Sequence, residues 1–327
     1  MIAPVSDGVV RGRDVSEVFA PGLLAGRVGL VTGGGTGLGK ATAIELVRCG
    51  ARVLIAGRRQ DVLEGAAQEI VTATGAVTGD ASAEVVAARA GDVRDPAQAR
   101  EMVGAAMERF GRLDMVVNNA GGQYFTAAEG IVAKGWMAVW RLNVEGMLNV
   151  AQAAVEAGLG RGSAGGGAPA GGGGPETSAD RPAEGTGGRI VNVTLSPHHG
   201  MPGMAHSGAA RATVEALTRE LAERWRERGI AVSAVAAGHF DTEAMEKYPD
   251  TVRAGMGRSV PLGRLGHPQE HAWLVALLCS PLGRALNGST ITLDGARDNW
   301  FGPWPPAGLT GGTGEVPTEA RKVGPAA

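Results

Sequence analysis

The stretch Gly33-Gly-Gly-Thr36-Gly37-Leu38-Gly39-Lys40 is the first place where residue type and spacing point to chemistry. It follows a short apolar run, Val28-Gly-Leu-Val-Thr32, and opens an amphipathic pattern, so it reads as strand, tight turn, helix. Glycine permits close backbone approach, and a helix N-terminus offers unpaired N–H groups and the positive end of a dipole. Together they suit a pyrophosphate. A nucleoside-triphosphate loop would need Ser or Thr after Gly39-Lys40 to hold magnesium, and Ala41 stands there. A dinucleotide is therefore the expected ligand. The end of the second apolar run decides which one. Sites for NAD place a carboxylate about 20 residues on, to bind the ribose hydroxyls. Here Arg52-Val-Leu-Ile-Ala-Gly57 runs into Arg58 and Arg59, whose guanidinium groups suit a 2′-phosphate. NADP(H) is expected. The plainer reading, two solvated arginines opening a helix, puts positive charge at the unfavourable end of a dipole.

These residues need a frame to hold them. Strands are expected at Val28–Thr32, Arg52–Ala56, Val85–Ala90, Met115–Asn118, Arg189–Thr194, Ala231–Ala236 and Thr290–Leu293. Helical patterns cover Gly39–Cys49, Gln60–Thr72, Ala97–Phe110, Lys134–Ala157, Ser207–Arg228 and Pro268–Leu278. Unbroken apolar runs suit strands buried on both faces. Strand–helix alternation predicts an α/β fold: one Rossmann-type, doubly wound, seven-stranded parallel sheet with helices on both faces.

Composition limits what else the chain can be. It has 327 residues, 44% hydrophobic and 20% charged, enough to bury a core. The net charge of −2 argues against nucleic acid or an anionic membrane as partner. No apolar run reaches the roughly 18 residues that span a bilayer. No secretory signal is visible, so a cytoplasmic location is expected. Two cysteines, Cys49 and Cys279, read as buried small apolar residues. Residues 158–188 hold 13 glycines in 31 positions and read as a surface insertion. The expected organisation is an N-terminal arm over 1–22, a single domain over 23–298 and a Pro/Gly-rich tail over 299–327.

Several spaced motifs resemble the short-chain dehydrogenase/reductase family. They are Thr32-Gly33-x-x-x-Gly37-x-Gly39, Gly91-Asp92-Val93, Asn118-Asn119-Ala120-Gly121, Asn143 in Arg-Leu-Asn-Val, Arg189-Ile-Val-Asn-Val-Thr194 and Leu293-Asp-Gly295. The resemblance implies that Asp92 and Val93 contact adenine and that Asn119, Ala120 and Gly121 shape the cofactor cleft. It implies that Gly238 to Thr242 holds the nicotinamide amide, with Thr242 as donor, although Ala237 replaces the usual proline. It also implies a homo-oligomer, a tetramer or a dimer.

The chain departs from the family at its catalytic pair. Most members carry Tyr, then Lys four residues on; here Ser207 and Arg211 hold those positions, and Thr194 holds that of the family's earlier serine. The chain has two tyrosines, Tyr124 and Tyr248, neither at the motif. Carbonyl reduction needs a phenol of lowered pKa, so the substitution argues for a different reaction. The resemblance is greatest to the enoyl-CoA and dienoyl-CoA reductase branch, the trans-2-enoyl-CoA reductases above all, through Gly121-Gly-Gln123, Lys134-Gly-Trp136 and His206-Ser-Gly-Ala-Ala-Arg211. That branch implies NADPH-dependent reduction of the C2=C3 bond of an acyl-CoA. Ser207 and Arg211 share one helix face. Ser207 is expected to donate to the thioester oxygen, and Arg211 to bond the nicotinamide ribose and hold positive charge near the enolate. Asn143 is expected to hold a water and Tyr124 is a second candidate proton donor.

Other readings stand beside these. Ser207 would serve equally as a helix cap, Arg211 as a surface ion-pair residue and Tyr124 as a loop anchor. Trp136 and Trp140, four apart, suit core or subunit contacts. Met245, Tyr248 and Met256 suit a lid over an apolar acyl chain. His198, His199 and His206 lack acidic or cysteine neighbours at ligand spacing, so no metal is expected. A carbonyl or alcohol oxidoreductase on a terpenoid substrate, and a cofactor binder without turnover, remain as alternative functions.

Overall fold

Seven short runs assemble as one parallel sheet in the order β3-β2-β1-β4-β5-β6-β7, the inner five buried on both faces and the edge strands β3 and β7 partly exposed. The computed structural model describes residues 15–75, 84–161, 187–196, 203–247, 257 and 260–299. The strands are β1 (Val28–Thr32), β2 (Arg52–Gly57), β3 (Val86–Ala90), β4 (Met115–Asn118), β5 (Arg189–Leu195), β6 (Ala231–Ala237) and β7 (Thr290–Leu293). Every pairing is parallel, with Val28 beside Arg52, Gly29 beside Met115 and Met115 beside Arg189. Between them run α1 (Gly37–Arg48), α2 (Gln60–Thr74), α3 (Pro96–Phe110), α4 (Ala133–Trp140), α5 (Gly146–Glu156), α6 (Ala205–Arg224) and α7 (Pro268–Cys279).

Alternate residues of each strand feed two cores. Val28, Leu30, Leu54, Val116, Ile190 and Val232 face α3, α5 and α6. Val31, Val53, Ile55, Val117, Val191 and Val235 face α1, α2 and α7. Strand order reverses between β1 and β4, and a crevice at such a point lies outside the carboxyl ends of the strands. The glycine turn after β1 and the Asn118–Gly121 stretch after β4 both end there.

The sequence predicts one helix over Lys134–Ala157. The structure divides it, with a π turn at Arg141–Glu145 between α4 and α5. Asn143 supplies the reason. Its Nδ2 donates to Val139 O at 2.7 Å and to Gly122 O at 2.9 Å, while Oδ1 accepts from Gly122 N–H at 3.2 Å. The side chain serves a carbonyl of its own helix and fastens that helix to the loop after β4. Such π turns recur at functional sites. The other expected elements differ from the observed ones at their ends only. The 158–188 insertion lies largely outside the described residues, and the tail beyond Asn299 entirely so.

One buried carboxylate ties the N-terminal arm to the helices. Glu45 of α1 is fully buried and accepts from Ser16 Oγ and from Gln269 Nε2 of α7. Burial pushes its pKa above the ordinary 4.5, against the lowering effect of Ser16, Arg48 and Gln269. A carboxyl raised in the folded state costs stability as pH rises through its folded value. Glu45→Gln carries no charge to desolvate, and Ser16 and Gln269 can turn to meet an amide. The variant is expected to match the wild type below pH 4.5. It is expected to gain on it as pH rises, by on the order of 1 kcal/mol, read from thermal unfolding at a series of pH values.

Candidate active site

Thr32, the last residue of β1, is 1% exposed. Its Oγ1 donates to Val117 O at 3.3 Å and accepts from the N–H groups of Asn119 at 3.1 Å and Ala120 at 3.0 Å. Asn119 Nδ2 returns bonds to Thr32 O at 3.0 Å and Gly33 O at 3.3 Å. The two strand ends at the crevice thus hold each other. The turn leaves no room for side chains. Gly33 has φ +65°, and a Cβ there would lie 2.9 Å from Asn119 Nδ2. A Cβ on Gly39 would collide with the Gly33 carbonyl. Thr36 is the N-cap of α1 with no side-chain capping bond. Leu38 packs against the second core. The close approach of main chain at Gly33 and Gly39 and the start of α1 at Gly37 fit a diphosphate.

A pocket lined by Arg58, Ala90, Gly91, Asp92 and Gln98 lies where the family resemblance implies contacts to adenine. Asp92 N–H donates to Gln98 Oε1 at 2.9 Å, and Val93 is buried beside it. The Asp92 carboxylate is gripped by Arg94, whose Nε lies 2.9 Å from both oxygens. Hydrogen bonds from Arg94 hold Asp92 below the usual carboxylate range, and the charge of Arg58 adds to this. Arg58 and Arg59 are exposed at the start of α2, open to an incoming anion.

At the other end, three elements converge on Gly121. A Cβ there would lie 2.7 Å from Arg211 Nη2 and 2.9 Å from Asn143 Oδ1. Arg211 Nη1 donates to Val193 O at 2.8 Å, and its buried Nε has no partner among the described residues. Burial pushes the guanidinium down to about 10, still charged at neutral pH. Ser207 is fully buried and is the third residue of α6, so it is not the helix cap; Met204 is. Its Oγ donates to Gln123 Oε1 at 3.3 Å.

Four expectations change at this point. Ser207, expected to donate to the thioester oxygen, gives its hydroxyl hydrogen to Gln123 Oε1. Both amide hydrogens of Asn143 go to main-chain carbonyls, so its side chain has no donor left for the water expected there. Thr194 donates to Glu215 Oε1 at 2.9 Å, because even-numbered positions of β5 face α6, as Asn192 does toward Thr218. The Tyr124 hydroxyl lies against Gly135 of α4, where a Cβ would collide with it. The Tyr124 ring packs on His206, centroids 4.3 Å apart. His206 is 2% exposed, and neither ring nitrogen has a partner among the described residues. Trp136 is partly exposed, while Trp140 packs beside Val139 and Val214. His198, His199, Tyr248 and Met256 lie outside the described residues.

The loop after β6 closes the crevice. Gly238 approaches Asp294 so closely that a Cβ would lie 2.6 Å from the Asp294 Cβ. Thr242 stands within ordinary van der Waals range of the Gly37 position, 3.7 Å from a Cβ built there. Glu243 Oε2 accepts from Gly37 N–H at 2.9 Å, and Oε1 lies 2.9 Å from Lys40 Nζ.

The family model described as short chain dehydrogenase matches residues 27–166, and the one described as Enoyl-(Acyl carrier protein) reductase matches residues 177–296. The chain belongs to the short-chain dehydrogenases. A probable 2,4-dienoyl-CoA reductase of Bacillus subtilis is 35% identical to this member over 84% of the chain and 97% of the relative. A short chain dehydrogenase from Bacillus anthracis superposes with TM-score 0.68 at 30% identity, covering 86% of this chain and all of that one. A citronellol catabolism dehydrogenase of Pseudomonas aeruginosa superposes with TM-score 0.66 at 33% identity, over 86% and 98%. A short-chain dehydrogenase takes a nicotinamide cofactor, and the glycine turn fits its diphosphate.

Gln98, Arg94, Gln123 and Glu243 were not legible as site residues. Each acts through a partner distant from the glycine turn or through a side-chain bond that spacing does not reveal. Gly121→Ala is expected to displace the Arg211 guanidinium, because Asn143 is pinned by three bonds and cannot yield. Nicotinamide-nucleotide binding should weaken about tenfold or more in a fluorescence titration, given how steeply function falls with small misplacements. The melting temperature should stay within a few degrees of the wild type.

Proposed function

We propose that the chain is an NADPH-dependent reductase of unsaturated acyl-CoA thioesters, saturating the C2=C3 bond of a trans-2-enoyl-CoA. The observation that carries this reading is the pairing of Ser207 with Gln123 beside a half-buried Arg211, at positions where the family usually has Tyr and Lys. Reducing a carbonyl demands a proton for the forming alkoxide. Conjugate reduction instead places negative charge on the thioester oxygen, which needs hydrogen-bond donors, and takes its proton later at carbon. When bound, the cofactor supplies the hydride.

Ser207 fixes the carbonyl oxygen of the Gln123 side chain, which leaves the amide N–H groups of that exposed residue to meet a thioester oxygen. Arg211 keeps its charge below Gly121 and gives no proton at neutral pH. Its role is to bond the nicotinamide ribose and stabilise the enolate. The Arg58–Arg59 pair favours NADPH over NADH through the 2′-phosphate. A homo-oligomer in the cytoplasm belongs to the same proposal. The name of the Bacillus subtilis relative favours a 2,4-dienoyl-CoA as second reading. The name of the Pseudomonas neighbour favours a terpenoid alcohol or aldehyde as third.

Purified protein should consume NADPH with trans-2-enoyl-CoAs and leave citronellal and geranial untouched. Gln123→Ala and Ser207→Ala should lower kcat by about 10- to 1,000-fold, the range for loss of one oxyanion donor. Turnover of the terpenoid carbonyls alone would overturn the proposal. Turnover confined to 2,4-dienoyl-CoA would move it to the second reading, and NADPH binding without any turnover to a non-catalytic binder. In a separate test, Arg58→Ala with Arg59→Ala should erase most of the preference for NADPH. The loss is expected at about 10- to 100-fold in Kd, as for removal of charge-assisted bonds to phosphate.

A further inference from the structure

We propose that Glu243 is an intramolecular competitor of the cofactor, its carboxylate filling the seat that the diphosphate must take. The inference rests on the nicotinamide-cofactor reading of the glycine turn and concerns how that site is regulated.

Thr36 leaves the first turn of α1 without a side-chain cap, and the helix is 12 residues long. The cap comes from the far side of the crevice. Glu243, at the start of the turn Glu243–Lys247 after β6, accepts the Gly37 N–H through Oε2 and meets Lys40 Nζ through Oε1. Burial works against the charge of Glu243, yet the bonds from Lys40 and Gly37 hold its carboxyl below the ordinary value. Burial likewise works against the charge of Lys40, while Glu69 and Glu243 together hold it above its ordinary value. Lys40 therefore already has two carboxylates, Glu69 Oε2 at 2.7 Å and Glu243 Oε1 at 2.9 Å. The seat is satisfied, with an excess of negative charge around one ammonium.

A diphosphate needs the same donors, because they are the N–H groups and cation at the helix start. It also carries charge of the same sign as Glu243. Both anions cannot share the seat, so cofactor entry requires the Glu243 carboxylate to leave. Thr242 is the adjacent residue, and release of Glu243 frees the same stretch of chain to present the Thr242 hydroxyl. The free enzyme holds its own anion in place of the cofactor's, and its affinity is lower than the seat alone would give.

The test measures dissociation constants by fluorescence and calorimetry for the full chain, the wild type against Glu243→Gln and Glu243→Ala. The probes are NADPH, NADH and adenosine 2′-monophosphate. Both variants should bind NADPH and NADH more tightly, about fivefold or more, the size of one lost charge interaction at a helix terminus with its ammonium partner. Adenosine 2′-monophosphate has no diphosphate and should bind all three proteins alike. Equal or weaker dinucleotide binding in both variants overturns the inference. So does a matching gain for adenosine 2′-monophosphate, which would mark a general field effect. A wild type that binds neither dinucleotide overturns the cofactor reading as well. Failure to reduce enoyl-CoA, or a preference for NADH, would count against the proposed function alone.

Discussion

The Thr32 hydroxyl is the point on which the site depends. One buried oxygen donates to β4 and accepts two N–H groups from the chain that leaves it. Strand pairing alone aligns β1 with β4 only through Val31 and Val117. Beyond that register the two chains must part, since one turns into α1 and the other runs toward α4. Thr32 and Asn119 hold them together for the first residues of that divergence. The crevice is therefore as well defined as the sheet, although it is built from loops. An unpaired N–H at this depth would cost about 1–3 kcal/mol, so the arrangement is strongly specified.

From that fixed corner, the remaining parts are set by side chains that bond main chain. Asn143 bonds Val139 and Gly122, and Arg211 bonds Val193. Neither relies on an ion pair with a carboxylate in the bonds described. Carboxylates appear further along the crevice: Asp92 is held by Arg94, and Glu243 by Lys40 and the Gly37 N–H.

The sheet was legible because its apolar runs are short and separate, and all but the edge strands β3 and β7 are buried on both faces. Every strand from β1 to β7 lies where alternation placed it, within a residue at its ends. The glycine turn was legible because no other residue fits Gly33 or Gly39. The π turn was not, because Asn143 looks like any polar residue in a helical pattern until its partners are known. Thr194 was misread for a related reason. The resemblance puts it at the position of the family's earlier serine, while the two-residue alternation of β5 sends its hydroxyl to Glu215. Tyr124 was read by proximity to the Asn-Ala-Gly loop, but the absence of a side chain at Gly135 draws its hydroxyl to α4. Pattern reveals what the backbone repeats; it does not reveal a side chain that reaches across elements.

The π turn at Arg141–Glu145 also acts as a phase correction between two helices. One residue advances an α-helix by about 100°, so a single extra residue within a turn rotates everything after it by that angle. Upstream, Val139 and Trp140 look toward Ala210 and Val214 of α6. Downstream, Val150, Ala151 and Ala154 look into the core shared with α3 and the sheet. Continuous α-helix through this region would keep one of these faces in register and turn the other to the side. The bulge lets one rod serve two partners that lie in different directions. The residue that makes it possible is the same one that grips the loop beside Arg211. Helix phase and site geometry are thus carried by a single amide, and neither can be altered without the other.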